Sequence, residues 1–301
     1  MIPYSATLGY ATLLDRLSAA ALADLDRLLR AVQDEPIEIQ REALMDLLPE
    51  LGDEYVGASS LVSAQFFDEI QSMMMVSKPV EPQVITSASR ARWHALAGWG
   101  ARGSVIEQGG TMLMYSLLSG GLTKTLTELA ADTMIGNAEL LNGAQSEFYV
   151  GYQRVPRPGC CAFCGMLASR GAAYSSEESA GKVVGRGRPV GSHKLAKGIN
   201  PRGSQRAGEK FHDHCRCSVV AVSESMYAEM QADADRYYEA YKAARGEATG
   251  KLEWNTTEWM APDGTRHHVS EWVDEQGDTF KADNRLTKRI VAEMRDSLGV
   301  K

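Results

Sequence analysis

Apolar residues in the first half of the chain recur every three or four positions, the period of one helix face. Leu14, Leu17, Ala21, Leu25, Leu28 and Val32 form one such stripe. Ile39, Ala43, Leu47 and Leu51 form a second, and Tyr55, Ala58, Val62, Phe66, Ile70 and Met74 a third. Residues 10 to about 150 are therefore expected to be largely helical. Stripes of this period usually pack against one another, so the expectation is an internal helix–helix core, with a partner surface as the alternative. The segment Ser77–Pro82 (SKPVEP) carries two prolines, which break helices, and predicts a hinge.

Beyond the hinge the pattern is less regular. Gly98, Gly100, Gly103, Gly109, Gly110, Gly120 and Gly121 punctuate short apolar runs such as TMLMYSLL, where helix and strand are equally plausible. Residues 123–146 resume a helical period, and EFYVGYQRV (147–155) has the aromatic and β-branched content of a strand. SVVAV (218–222) reads as a second short strand. A polar helix follows at 223–245, carrying Met226, Met230, Tyr237 and Tyr241. Trp254, Trp259 and Trp272 flank the turn PDGT (262–265) and predict a small hairpin, and a terminal helix runs from Asn284. No internal repeat is present. The fold class expected is α+β, mainly helical. It divides into an N-terminal helical arm (1–78), a central α/β domain (79–222) and a C-terminal region of helix, Trp-rich hairpin and helix (223–301).

Composition narrows the class. The chain has 301 residues, 44% of them hydrophobic and 24% charged, with a formal net charge of -7, which fits a folded domain rather than a disordered chain. No stretch approaches the length of a membrane-spanning helix, and the N-terminus lacks a basic region followed by an apolar one. No membrane partner is expected, a small-molecule substrate is not expected, and folding in a cytoplasm is. One segment departs from the acidic average. Between Gly181 and Lys210, Lys182, Arg186, Arg188, Lys194, Lys197, Arg202, Arg206 and Lys210 face one acid, Glu209. Such a loop can neutralise phosphates and release counterions, giving salt-dependent binding to DNA without sequence preference; the alternative is a solvated linker.

The candidate chemistry lies in two tight cysteine clusters. One is Cys160, Cys161 and Cys164; the other is His212-Asp-His214-Cys215-Arg-Cys217. Clustered cysteines read better as metal ligands than as a dispersed disulfide framework. Tetrahedral zinc takes four thiolate or imidazole ligands, and a C-x-x-C turn brings two within reach of one ion. Cys161, Cys164, His212 and Cys215 or Cys217 are the preferred set, an all-cysteine set is the rival, and Cys160 could replace Cys161. A structural disulfide, with no metal, would serve the same end. In either case the knuckle is expected to hold the strand near 150 against the strand near 220.

At these residues the sequence resembles the phage Mu F-like minor head family, which shows a C-x-x-C after a helix and a strand, then an H-P-N-C-R-C element leading into a short strand. The matching pieces here are Cys161/Cys164 and His212 to Cys217, with an Ala-, Asn- and Glu-rich helix before them and Asn137 near its middle. The likeness covers roughly 110–225; Asp213 and His214 replace the usual Pro and Asn, and the spacer is long and basic. The resemblance implies a head morphogenesis protein of a tailed phage, made beside the portal protein, acting with portal and major capsid protein in the host cytoplasm and then carried in the virion near the portal. Similar proteins of actinobacterial phages are often labelled capsid maturation proteases, which makes protease the alternative function. The residues give that alternative little to work with. There is no H-E-x-x-H helix and no G-x-S-x-G elbow, and a Cys/His dyad would have to use the proposed metal ligands. His94 reads as a core or surface residue, His193 as part of the basic loop, and Met73–Met75 as core or adaptable interface.

Overall fold

The computed structural model describes residues 4–106, 110–144, 150–155, 162–168, 189–190, 194–195, 217–222, 227–250, 253–260, 266–273, 279–280 and 284–299. The chain is mainly helical. In order, the elements are α1 (Tyr4–Val32), α2 (Ile37–Met73), α3 (Arg90–Ile106), α4 (Gly110–Ala144), β1 (Gly151–Val155), α5 (Ala162–Ala168), β2 (Pro189–Val190), β3 (Lys194–Leu195), β4 (Ser218–Val222), α6 (Tyr227–Gly250), β5 (Glu253–Met260), β6 (Arg266–Val273), β7 (Thr279–Phe280) and α7 (Asn284–Leu298). They fall into two compact units. The first takes 1–158, 171–183 and 209–231, and the second takes 159–170, 184–208 and 232–301.

In the first unit, α1 to α4 share one core. Ala21, Leu25 and Leu29 of α1 meet Leu44, Leu48 and Val56 of α2, Trp93 and Ala97 of α3, and Met114, Leu118, Leu122 and Leu126 of α4. Of the first stripe, Leu14, Ala21 and Leu25 are buried and Leu17, Leu28 and Val32 half-buried, with Leu29 taking the inward position next to Leu28. The second stripe is corrected by one residue. The row that faces the core is Gln40, Leu44, Leu48, Gly52 and Val56, while Ile39 and Leu47 stand 46% and 45% exposed. The reason is Trp93. A Cβ at position 52 would lie 2.5 Å from its ring, so only a glycine row lets the indole seat against α2. Both later stripes of α2 lie on one continuous helix that runs through Pro49. The described residues of the glycine-rich stretch, in α3 and α4, are helical. Gly100 lies against Leu118, and Gly121 against Leu96, with no room for a Cβ at either, so α3 and α4 approach closely. Arg92 of α3 pairs with Glu128 of α4 across that contact.

The expected hinge is a fastened strap. Between α2 and α3, residues 79–89 run without turn or bend. The Gln71 side chain brackets Val80, donating to its carbonyl at 2.9 Å and accepting its N–H at 2.8 Å. Asn137 does the same to Gln83, at 2.8 and 2.6 Å. One Asp53 carboxylate oxygen accepts both the Ala88 N–H (2.9 Å) and the Trp93 indole N–H (2.8 Å). Val80 and Gln83 are three residues apart, the repeat of a polyproline II helix, which Pro79 and Pro82 favour. The strap's backbone groups thus find side-chain partners where no sheet is present to supply them.

In the second unit, α5, α6 and α7 pack through Ala162, Ala244, Ala248, Ile290 and Met294. The Trp-rich segment forms the expected antiparallel pair, β5 with β6, from Glu253↔Val273 to Met260↔Arg266. A third strand, β7, adds through Trp272↔Phe280. Among the described residues no helix is long and apolar enough to cross a membrane.

Candidate functional site: the strand ladder and its cysteines

The ladder is built from strands that the sequence placed separately. β1 and β4 pair antiparallel in unbroken register, Gly151↔Val222 through Val155↔Ser218. Every residue in both strands is buried, which suits Val219, Val220, Ala221 and Val222 and is unusual for Gln153 and Arg154. Helix α4 holds β1 in place from two points. Asn142 brackets Val150, donating to its carbonyl and accepting its N–H, both at 2.9 Å. The Tyr152 hydroxyl reaches the Ile135 carbonyl at 3.5 Å. At the far end of the ladder the Ser218 hydroxyl donates to the Val155 carbonyl at 3.4 Å. The chain therefore leaves the ladder at Val155 and re-enters it at Ser218, and both cysteine clusters fall within that excursion.

Cys217 immediately precedes β4 and is fully buried in the first unit. Cys164 is buried on α5 in the second unit. On that short helix Gly165 faces Tyr237 at 3.0 Å and Leu298 at 3.4 Å, measured to where a Cβ would stand. Cys161, His212 and Cys215 lie outside the described residues, so two of the five proposed donors have a described position. Among the described residues no group of three or more His, Cys, Asp or Glu is placed to hold a metal ion. Of the basic segment, Lys194 lies in β3, across from Val190 of β2. Lys182, Arg186, Arg188, Lys197, Arg202, Arg206 and Lys210 lie outside the described residues.

A family model described as VG15 protein matches residues 1–244. The chain belongs to the VG15 family. It is a phage protein. The match takes in the four-helix core, the ladder, both cysteine clusters and most of α6, and it stops before β5, so the Trp-rich sheet and α7 lie beyond the family's shared region. No curated protein and no solved structure matches the chain.

Sequence reasoning overlooked two features of this VG15 chain. Arg154 is among its largest fully buried side chains. A charged residue in a short strand that also carries Tyr152 and Val155 was the available signal, since such groups are buried only with compensation. The other feature is the set of amide brackets from Gln71, Asn137 and Asn142. Gln71 and Asn142 lie in the last turns of their helices and Asn137 well inside α4, where such residues look like ordinary surface amides; on the folded chain Gln71 and Asn137 are buried and Asn142 half-buried.

Proposed function

We propose that this VG15 chain is a minor head protein of a tailed phage, of the Mu F-like kind, associated with the portal and acting with the major capsid protein during head assembly. It works in the host cytoplasm and is then carried inside the virion. The observation that supports this reading most is the β1–β4 ladder. The strand ahead of the C-x-x-C pairs with the strand that the C-R-C element enters, which is the strand, knuckle and strand order of that family. In this reading Cys161, Cys164, His212 and Cys215 or Cys217 close the excursion, through zinc or through a disulfide. Thiolate and imidazole donors suit zinc, and binding would couple ligand deprotonation to folding. The basic residues between them meet packaged double-stranded DNA.

Virions give the direct test. The chain should be present in purified particles in few copies, and phage lacking its gene should fail to make infectious heads until it is supplied in trans. Normal infectious heads without the chain would refute the reading. A second measurement separates it from a capsid maturation protease. Cys164→Ser should lower the melting temperature and impair head assembly together, with loss of any bound zinc. A variant of unchanged melting temperature that assembles heads but leaves the capsid protein uncleaved would favour the protease instead.

A further inference from the structure

The outward face of α2 carries a combination that the core does not explain. Opposite the buried row, Glu42, Asp46, Glu50 and Glu54 are exposed and repeat every four residues. Neighbours at this spacing on a helix repel, weakening it by about 0.2–0.5 kcal/mol per like-charged pair. None of the four carboxylates makes an ion pair or hydrogen bond with another residue among those described. Glu38 continues the row, but it sits in the first turn, where a negative charge favours the helix. The other four have no such role. Interleaved with them are Ile39 and Leu47, two turns apart and nearly half exposed. On a helical projection Glu42, Asp46, Ile39, Glu50, Glu54 and Leu47 fall within an arc of about 140°. Across the whole of α2 the only base is Arg41.

A solvated acidic face would need no isoleucine or leucine on it, and an ordinary core face would carry no acid ridge. We propose that this face is a docking surface for a basic amphipathic helix of another protein. Lysine or arginine side chains of that helix would flank the acid ridge, and apolar side chains two turns apart would cover Ile39 and Leu47. Charge complementarity selects this occupant: an acidic or neutral partner would leave the ridge repulsion in place, and a basic one removes it. The surface belongs to the folded chain itself, so tests in solution and tests in virions fail independently.

The test uses the purified full-length chain and a fluorescein-labelled synthetic helix of Lys and Leu, with the leucines spaced two turns apart. A scrambled peptide of the same composition is the control. The parent should bind the ordered peptide, with affinity falling between about 50 and 200 mM salt as screening grows. The triple variant Glu42→Gln, Asp46→Asn, Glu50→Gln should bind roughly tenfold more weakly, since each exposed ion pair contributes modestly. Leu47→Ser should weaken binding by about fivefold without changing the salt dependence. All four positions are exposed, so the variants should fold, and circular dichroism checks it. No binding by the parent, or equal binding by parent and triple variant, overturns the proposal. Equal affinity for the scrambled peptide also overturns it, by reducing the face to a general polycation sink. Self-association of the chain that Leu47→Ser disperses overturns it too, by making a second copy the occupant.

Discussion

Two regions of the helical unit are held together by opposite means. Around Trp93 the core is apolar except for the indole N–H on Asp53: Leu25, Leu44, Leu48, Ala97 and Leu118 share its cluster, and glycine makes room for the indole. Around Asn137 the buried face of α2 carries Ser59, Ser60, Ser63 and Gln71, that of α4 carries Thr127, Thr133 and Asn137, and the strap is held by amides. The first region demands volume and tolerates some change of chemistry. The second demands geometry, because each amide must meet an N–H and a carbonyl of one residue at once.

That contrast can be broken experimentally. The largest effect is expected at Trp93→Ala, which empties the apolar region and removes one of the two donors described on the Asp53 carboxylate. It should lower unfolding free energy by about 3–5 kcal/mol, read by denaturant titration. Asn137→Ala should cost about 2 kcal/mol, because both Gln83 backbone groups lose their partner. Its distinctive sign is local: hydrogen exchange at the Gln83 amide should speed up more than exchange at the Leu118 amide. If the two amides accelerated alike, the strap would be no separate region. Ser60→Ala tests whether every polar group there is useful. The Ser60 hydroxyl is buried with no hydrogen-bond partner among the described residues, so its removal should stabilise by about 1 kcal/mol. The smallest effect is expected at the end of α2. There Val76 N–H bonds the Gln71 carbonyl and Met75 N–H the Ser72 carbonyl, each at 3.1 Å, in the arrangement that closes many helices on a glycine. Met75 occupies the glycine position with a φ of 51° and is 87% exposed. Met75→Gly should therefore raise stability by about 0.5–1 kcal/mol, seen as a small rise in the denaturation midpoint.

The same contrast explains what could be read in advance. Apolar periodicity found α1 and the second half of α4, while the first half of α4 was left open between helix and strand. Aromatic and β-branched runs found β1 and β4, and the tryptophans flanking PDGT found the β5–β6 pair. On α2, periodicity chose the row of Ile39, Ala43, Leu47 and Leu51, because the true row contains Gln40 and Gly52. Its burial depends on the shape of Trp93, some forty residues later, which no local pattern encodes. The strap looked like a hinge for a similar reason: its prolines are visible, but the side chain that fastens Gln83 lies 54 positions away. The cysteine clusters stood out in the sequence as two tight groups. Their excursion from the ladder was legible as well, through the two strands that bound it.

The ladder also sets how much the chain between its strands can change. Val155 and Ser218 are 63 positions apart, yet they sit side by side. The entropy of closing a loop grows only with the logarithm of its length, so ten residues added to or removed from this excursion alter closure by roughly 0.1–0.2 kcal/mol. Loop closure therefore sets almost no length for this stretch. Insertions and deletions between α5 and Cys217 therefore cost little in closure, so long as β1 and β4 keep their register and α5 its packing. Between those two points the ladder leaves the length of the chain open to variation.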